Sequence, residues 1–336
     1  MRAVTGIKPT GSPHLGNYVG MIRPALALAE RADAHYFVAD LHALTSLRDR
    51  ERLRRLSREV AAAWLALGLD PTVSVLYRQS DVPEVCELAW LLGCVTAKGL
   101  LNRAHAYKAA VQDNRDRELD DDAGVNAGLF TYPVLMAADI LGHRADVVPV
   151  GADQRQHVEI TRDVATAFNA AFRPVLHAPE ELVDERVEAV LGIDGRKMSK
   201  SYGNDLPVFA SPAELRAGVM SIVTDSRRPE DPKDPDIDRV FALYRHIANE
   251  YDVTRLAARY RSGGVGYAEA KELLVGAFEA RFGSARVRFD ALLAAPDELE
   301  EVLAEGARRA RRSAAITLKA VRDATRLHDN GFESDR

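Results

Sequence analysis

The first half of the chain alternates between short apolar runs typical of strands and longer amphipathic runs typical of helices. Apolar runs at residues 2–7, 35–39, 73–78 and 146–150 are each joined to a helical pattern by a short connection. This alternation favours a Rossmann-like parallel sheet with crossover helices. Ligands of such sheets bind beyond the carboxyl ends of the strands, so we expect a site in the loops that follow them.

The second half of the chain has only helical patterns and no convincing strand. A length of 336 residues is suited to about two domains. We therefore predict an α/β domain over residues 1–206, followed by an all-α C-terminal domain over residues 207–330. Within the first domain, residues at about 109–125 are interpreted as a mobile insertion, because 114–125 are charged and turn-rich.

Composition narrows the class of protein further. The net charge of −5 provides no global basic field for nucleic acid, although a local patch could still bind RNA. No apolar run reaches the roughly 18 residues of a membrane helix, and the early first strand leaves no room for a signal peptide, so we expect a cytoplasmic protein. Cys86 and Cys94 form neither a metal-binding pattern nor a disulfide framework, so we expect no protein-bound metal.

The loop after the first strand suits a phosphate. Residues 9–17 read Pro-Thr-Gly-Ser-Pro-His-Leu-Gly-Asn, which places His14 at a helix start and Asn17 on the same face one turn later. A phosphate there would meet free backbone N–H groups and the positive end of the helix dipole. Gly16 would leave room for an adenine ring or a ribose. The alternative is a set of turn residues in which His14 only caps the helix.

A second cationic loop lies at residues 197–201, which read Lys-Met-Ser-Lys-Ser after a Gly-Arg pair. Two ammonium groups and two hydroxyls suit a polyphosphate that gains charge on its leaving oxygens as a bond breaks. Most Lys/Ser stretches are solvated surface turns instead. The presence of both this loop and the loop at 9–17 favours the phosphate-binding interpretation.

Two carboxylates also occupy informative positions. Asp153 follows an apolar strand within residues 148–157, where it could cap a helix, bind ribose hydroxyls or a substrate ammonium, or combine these roles. Asp139 is the lone carboxylate of the apolar stretch 131–141. Because an unpaired buried carboxylate is costly, Asp139 is either exposed, a helix cap, or paired with a donor. An indole N–H would be such a donor.

Taken together, these segments resemble the tryptophanyl-tRNA synthetase family of class I aminoacyl-tRNA synthetases. The similarity runs from residue 5 to about residue 322 and includes Thr-Asp-Ser at 224–226 and Gly-Val-Gly-Tyr at 264–267. The resemblance implies a Rossmann-like catalytic domain that ends in the 197–201 loop. It also implies a helical domain at 207–330 that binds the tRNA anticodon.

The resemblance assigns roles to the matching positions. The expected catalytic residues are His14, Asn17, Lys108, Lys197, Ser199 and Lys200. The residues expected to bind ATP are Lys8, Thr10, His14, Gly16, Asn17, Gly151, Asp153, Ala189, Lys197, Met198, Ser199 and Lys200. The residues expected to bind tryptophan are Val4, Gly6, His42, Tyr132, Met136, Asp139, Val148, Val150 and Gln154. Among these, Asp139 would accept the indole N–H, while Tyr132 and Gln154 would hold the amino group.

The implied reaction is tryptophan–tRNA ligation. The carboxylate of L-tryptophan attacks the α-phosphorus of ATP, Mg²⁺ assists, and pyrophosphate leaves; a terminal ribose hydroxyl of tRNA(Trp) then takes the tryptophanyl group. The family also implies a homodimer, and neither a membrane nor DNA is an expected partner. RNA contacts could come from the basic residues of the last helix, although a solvated basic face is the alternative. These residues are Arg308, Arg309, Arg311, Arg312, Lys319 and Arg322.

Several positions depart from the pattern of the family. Lys8 stands where many relatives have Gln, Ala152 where an acidic residue is frequent, and Leu100 lies in a stretch that lacks a common Glu. Tyr-Gly-Asn at 202–204 replaces a frequent Asp-Pro-Asn. Lys8 adds a charge beside the expected tryptophan site, so we hypothesise that it changes the affinity for inhibitors that mimic tryptophan, as an auxiliary, resistant enzyme would need.

Two other interpretations stay open at this point. A tyrosine-specific enzyme would share the architecture, but Asp139 in its apolar setting and the Pro-Val-Gly-Ala-Asp-Gln turn argue against it. A nucleotidyltransferase that adenylates a small molecule without tRNA, or a paralogue that only binds, would belong to a different functional class. The large helical region argues against the first of these, and the presence of His14, Asn17, Lys197 and Lys200 argues against the second.

Overall fold

The computed structural model describes residues 1–151, 154–182 and 190–326, and the structural statements that follow concern this part of the chain. Its sheet has five strands in the order β3-β2-β1-β4-β5, and all neighbouring strands are parallel. The strands are β1 (Arg2–Ile7), β2 (Asp33–Val38), β3 (Val75–Arg78), β4 (Val147–Pro149) and β5 (Glu180–Leu182). The predicted parallel α/β fold is therefore confirmed.

Helices connect the strands and form the C-terminal region. In the α/β half they are α1 (Leu15–Asn17), α2 (Arg23–Ala29), α3 (Asp40–Ala43), α4 (Arg50–Ala66), α5 (Glu84–Gly93), α6 (Lys98–Leu101), α7 (His105–Asp116), α8 (Ala127–Gly142) and α9 (Arg155–Ala171). Beyond it they are α10 (Pro212–Met220), α11 (Arg239–Ile247), α12 (Glu250–Ser262), α13 (Tyr267–Ala294) and α14 (Pro296–Thr325). Within the described residues, none of these helices is both long and apolar enough to cross a membrane.

The sheet is covered on both faces because successive strand residues point to opposite sides. On one face Tyr36 of β2 stacks on Trp64 of α4, with ring centroids 4.9 Å apart. On the other face its neighbour Phe37 stacks on Tyr77 of β3 at 5.5 Å. Helix α8 packs over this second face, and it carries Asp139 into the interior.

The C-terminal helices return to the α/β half. Helix α13 packs against α4, and α14 packs along the edge strand β3. At Gly306 of α14 a Cβ atom would lie only 1.8 Å from the carbonyl oxygen of Leu76, so the helix and the strand touch through their backbones. A helix in this position protects an edge strand from pairing with another chain.

The predicted all-α C-terminal region is confirmed. The domain boundary at 206/207 stays a prediction, and residues 327–330 lie outside the described ranges.

The charged stretch at 109–125 is more regular than its composition indicated. Residues 109–116 belong to helix α7, so the turn-rich interpretation of 114–125 was wrong for residues 114–116. The buried amide of Asn114 donates to the carbonyls of Asp121 and Ala123 at 3.0 and 2.9 Å, and Arg115 pairs with Asp121 at 2.7 Å. These bonds close the remaining turns into a compact unit, and the mobility of this segment stays a prediction.

Candidate active site

A cleft of about 740 Å³ opens beyond the carboxyl ends of the strands, where a parallel sheet is expected to bind its ligand. It is lined by the loops after β1, β2 and β4, by α8 and by the lysine loop, residues 197–201. The predicted residues that line it are Val4, Gly6, Lys8, Thr10, His14, Gly16, Asn17, His42, Tyr132, Met136, Asp139, Val148, Val150, Gly151, Gln154, Lys197, Met198 and Ser199. The structure thus brings most of the expected set into one cavity.

The two phosphate-binding motifs meet because the chain after the lysine loop pairs with the first loop. Leu15 donates its backbone N–H to the carbonyl of Leu206 at 2.9 Å, and Val208 donates to Pro13 at 2.9 Å. Lys200 reaches back toward Gly11, where a Cβ atom would lie 3.0 Å from its Nζ. Segments far apart in sequence, 9–17 and 197–201, therefore line the same end of the cleft.

His14 and Asn17 cap the helix that begins between them. His14 Nδ1 accepts from the backbone N–H of Asn17 at 3.2 Å, and Asn17 Oδ1 accepts from the backbone N–H of His14 at 3.1 Å. Burial, followed by the ammonium of Lys200, lowers the pKa of His14 to about 4, so the ring is neutral near pH 7. With Nδ1 as acceptor, the single ring proton lies on Nε2, which makes Nε2–H a donor for a phosphate oxygen. The capping interpretation is therefore confirmed, and because the cap leaves Nε2–H available, the phosphate-binding role stays a prediction that is compatible with it.

The lysine loop is held by one buried side chain, Asn204. Its Oδ1 accepts from the backbone N–H of Ser199 at 2.8 Å, and its Nδ2 donates to Asp194 at 2.7 Å and to the carbonyl of Lys197 at 3.2 Å. The hydrogen bond from Asn204, together with bonds from Arg196, lowers the pKa of Asp194 to about 2. These bonds fix the backbone of the loop at Lys197 and Ser199, on either side of Met198, so the loop presents its cationic side chains from a rigid base.

Met198 connects the lysine loop to the first helix. It is buried, its backbone N–H donates to the carbonyl of Val190 at 2.9 Å, and its sulfur accepts from the N–H of Gly16 at 3.4 Å. A Cβ atom at Gly16 would lie 3.0 Å from the ring of His14. Any side chain at position 16 would therefore press on the histidine that faces the phosphate end of the cleft.

Asp139 lies at the opposite, apolar end of the cleft and is almost fully buried. Its Oδ2 accepts from Gln79 Nε2 at 2.8 Å and lies 3.0 Å from His42 Nε2. Burial raises the pKa of Asp139, whereas the hydrogen bonds and charge of these partners oppose that rise. Among the described residues both donors reach Oδ2, which leaves Oδ1 for a donor on the ligand.

The remaining walls combine polar and apolar groups. The hydroxyl of Tyr132 is hydrogen-bonded to the ring of His157, which also lines the cleft. A Cβ atom at Gly6 would lie 2.4 Å from the ring of Phe37, so a glycine is needed where this ring forms the floor. Lys8 Nζ donates to the hydroxyls of Thr45 and Ser46 at 3.1 and 3.3 Å, and burial lowers the pKa of this ammonium.

Two predicted residues that the structure describes do not line the cleft. Lys108 is exposed on α7, and Lys200 lies beside the cleft near Gly11. Asp153 and Ala189 lie outside the described residues. The roles of all four stay predictions.

Sequence reasoning missed several residues of the site. Gln79 directly follows β3, so the rule about carboxyl strand ends could have identified it. His157 and Asn204 each lie within or next to a motif that we recognised, but their partners could not be inferred from spacing. Thr45 gave no signal in the sequence.

The basic residues of α14 are mostly engaged within the protein. Arg309 donates to the carbonyls of Pro71, Val73 and Ser74, and Arg311 pairs with Glu84 at 3.0 Å. Arg322 pairs with Glu87, while Arg308 and Lys319 pair with acidic residues of their own helix. The expectation of an RNA-binding face on this helix therefore loses support, since three of its cations dock the helix on the α/β half.

Comparisons with known proteins agree with the fold and the cleft, which together define a class I aminoacyl-tRNA synthetase. A model of the class I tRNA synthetases for tryptophan and tyrosine (W and Y) matches residues 1–283, and the chain belongs to this family.

Among similar proteins, the tryptophan–tRNA ligase of Pseudomonas aeruginosa is 49% identical over 331 residues, which are 97% of this chain and 74% of that protein. The tryptophan–tRNA ligase of Neisseria meningitidis is 46% identical over 326 residues, which are 96% of this chain and 97% of that protein.

Solved structures lead to the same family. Tryptophanyl-tRNA synthetase from Campylobacter jejuni, complexed with ADP and tryptophan, superposes with a TM-score of 0.88 at 42% identity, covering 97% of this chain and 100% of that one. The enzyme from Mycoplasma pneumoniae superposes with a TM-score of 0.81 at 26% identity, covering 97% and 98%.

Proposed function

We propose that this chain is a tryptophan–tRNA ligase, which activates L-tryptophan with ATP and then transfers tryptophan to the 3′ end of tRNA(Trp). The observation that carries the specificity is the buried carboxylate of Asp139, held by Gln79 and His42 at the apolar end of the cleft. A site built around such a hydrogen bond rejects ligands that lack the donor by roughly 10⁴–10⁵. The tryptophan enzymes among the similar proteins support this assignment over tyrosine.

The geometry supports activation by positioning and electrostatics. The tryptophan carboxylate is already ionised near pH 7, so it attacks the α-phosphorus of ATP without a protein base, and pyrophosphate leaves. The neutral ring of His14 would donate from Nε2 to a phosphate oxygen. Lys197, Ser199 and Lys200 would stabilise the charge that develops on the pyrophosphate.

Mg²⁺ would neutralise the charge of the polyphosphate when it is bound with ATP. No group of three or more His, Cys, Asp or Glu side chains suited to a metal occurs among the described residues. The phosphate end of the cleft instead offers the cationic and hydroxyl groups of the lysine loop, together with His14 and Asn17. We therefore infer that the ion is held by phosphate oxygens of ATP rather than by a protein cage.

Lys8 is the departure from the family pattern that the cleft makes most testable. Its ammonium is held at the rim by Thr45 and Ser46 and lines the same cavity as Asp139. We infer that it weakens the binding of compounds that mimic tryptophan but place an uncharged or cationic group at this rim. Inhibition constants of such compounds should fall in Lys8→Gln, and unchanged constants would exclude the idea.

The remaining expected properties are proposals that rest on the family. Asp153 and Gly151 would face the ribose, Ala189 and Thr10 would contact the nucleotide, and Lys108 would assist the pyrophosphate on closure of the cleft. We also propose a cytoplasmic homodimer.

Charging of tRNA with labelled tryptophan tests the complete reaction. Tryptophan-dependent charging of tRNA(Trp), lost in Lys197→Ala, is the expected result. If the protein forms the adenylate but does not charge tRNA, it would instead be an adenylyltransferase that acts on small molecules.

A further inference from the structure

An exposed row of cations lies at the start of helix α4, near the mouth of the cleft. We define the α4 arginine face as Arg50 and Arg54, which lie one helical turn apart on α4, together with Arg48 just before the helix; all three are exposed. No side chain among the described residues forms a hydrogen bond or ion pair with any of these guanidinium groups. The next two arginines differ, since Arg55 lies 3.7 Å from Glu59 and Arg58 pairs with Glu300 at 3.2 Å. The start of α4 thus carries exposed guanidinium groups that form no ion pair within the described residues, in a chain whose net charge is −5.

These arginines do not serve the helix that carries them. A helix has its positive dipole end at its N-terminus, where each cation costs about 0.3–1 kcal/mol at low salt. The carboxylate of Asp49 caps the helix by accepting from the backbone N–H of Arg52 at 3.0 Å, and Glu51 is the only other acid in the first turn. These arginines therefore lower the stability of α4. Cations at such a position are expected where they bind an anion from outside the chain.

The face lies beside the cleft. Thr45 lines the cavity, and its carbonyl accepts from Asn126 at 2.9 Å, so this part of the rim is fixed. Arg48 follows three residues later, which places its Cα within about 11 Å of that of Thr45. The α4 arginine face therefore follows shortly after a residue of the cleft rim.

A polymer of phosphates fits these features better than a single nucleotide does. Most of the expected ATP-binding groups line the cleft, whereas the α4 arginine face is exposed. Guanidinium groups bind phosphate oxygens through paired N–H donors, and a row of them suits the regular charges of a nucleic-acid backbone. We propose that the α4 arginine face binds phosphates of the acceptor arm of tRNA while the 3′ end of that arm enters the cleft. This inference rests on the proposed function.

The test compares two matched pairs of exposed arginines. Arg50→Glu with Arg54→Glu reverses charge one helical turn apart on α4, and Arg308→Glu with Arg312→Glu does the same on α14. For each double variant, the KM for tRNA(Trp) in charging is measured from about 50 to 200 mM salt. ATP–pyrophosphate exchange with tryptophan, which needs no tRNA, is measured in parallel.

We expect the α4 variant to raise the KM for tRNA about tenfold or more, and to reduce the salt slope by about 0.7–0.9 for each phosphate that the variant no longer neutralises. Its exchange rate should equal that of the unmodified protein, and the α14 variant should change the KM less than about threefold. If the α4 variant leaves both the KM for tRNA and its salt dependence unchanged, the inference is overturned. An acidic protein would then be the alternative partner of the α4 arginine face. Exchange that falls in parallel with charging would also overturn the inference, because the face would then act on the cleft. If the unmodified protein shows no tryptophan-dependent exchange, the proposed function itself fails.

Discussion

The amide of Gln79 determines how the carboxylate of Asp139 is presented to a ligand. Its Oε1 lies 3.3 Å from the backbone N–H of His42, so its Nε2 is the end that faces Asp139. His42 contributes a second contact to the same carboxylate oxygen. The two partners favour the charged form of a group that burial would neutralise, and they fix its orientation. We therefore propose that Gln79 positions Asp139 for the recognition of tryptophan.

Replacing Gln79 with leucine should weaken tryptophan binding in a pH-dependent way. Loss of a hydrogen bond to a charged group costs about 1.5–3 kcal/mol, which corresponds to roughly a ten- to hundredfold rise in the KM for tryptophan. The pKa of Asp139 is already raised, and without Gln79 it rises further, so the carboxylate is protonated at higher pH. The KM should therefore increase more at about pH 6 than at about pH 8, as measured by ATP–pyrophosphate exchange.

Gln112→Leu provides the matched control. Gln112 also donates to an aspartate, Asp116, at 2.7 Å, but this pair is exposed on α7. The KM and its pH profile should stay unchanged in this variant. A Gln79→Leu enzyme with a uniformly raised KM at all pH values would indicate a purely steric role for the amide.

At the scale of elements, the lysine loop depends on a residue outside its motif. Asn204 bonds the loop backbone at Lys197 and Ser199, and a Cβ atom at Gly192 would lie 2.4 Å from its side chain. The neighbouring strand-like bridge between Leu191 and Lys197 brings the loop to the cleft. The positions of Lys197 and Lys200 thus follow from a buried amide rather than from the loop sequence alone.

Asn204→Ala should impair the use of ATP and leave the binding of tryptophan intact. Each lost buried hydrogen bond costs about 1–3 kcal/mol, and a misplaced loop should lower kcat/KM for ATP by about ten- to a hundredfold. Steady-state exchange kinetics would measure kcat/KM for ATP. Calorimetric titration with tryptophan alone would measure the affinity for tryptophan.

Asn169→Ala is the corresponding control, because Asn169 holds another loop through three bonds to the backbone of Val175 and Leu176. It should lower the stability of the protein without affecting ATP. Equal losses for ATP in both variants would contradict a specific role of Asn204.

The pattern of apolar residues along the chain predicted those helices and strands that do not depend on partners distant in sequence. The first three strands, the crossover helices and the shared face of His14 and Asn17 follow from apolar periodicity and from helix geometry. Strand β5 escaped prediction because Glu-Glu-Leu has no apolar alternation and becomes a strand by pairing with β4. The partners of Asp139 escaped because Gln79 lies 60 residues away in sequence, and only the packing of α8 over the sheet brings them together.

At the scale of the whole molecule, the last helix ties the C-terminal region to the sheet. Arg2 donates to the carbonyl of His143 and to the hydroxyl of Ser313 at 2.7 and 2.9 Å, which links β1, α8 and α14. The arginines of α14 therefore belong to the packing of the two halves. Their pattern in the sequence resembled a nucleic-acid surface, since composition alone does not show which cations are already paired.

The proposed dimer has a candidate contact on α5. The side chain of Trp90 is 75% exposed, and Cys86 and Cys94 are exposed on the same segment. Tryptophan residues in interfaces contribute about 2 kcal/mol or more when they become buried between partners. Trp90→Glu should convert the protein to a monomer in light scattering at micromolar concentration. Tyr251→Glu, at a 73% exposed aromatic of α12, should leave the mass unchanged, and a dimeric Trp90→Glu protein would exclude this face.

The most direct test of the proposed function is ATP–pyrophosphate exchange with tryptophan, with tyrosine and without an amino acid. We expect exchange that requires tryptophan and that falls by several orders of magnitude in Asp139→Ala, since the buried acceptor for the indole N–H is then absent. Exchange supported by tyrosine, or tryptophan-dependent exchange that is unaffected by Asp139→Ala, would contradict the assignment of the pocket.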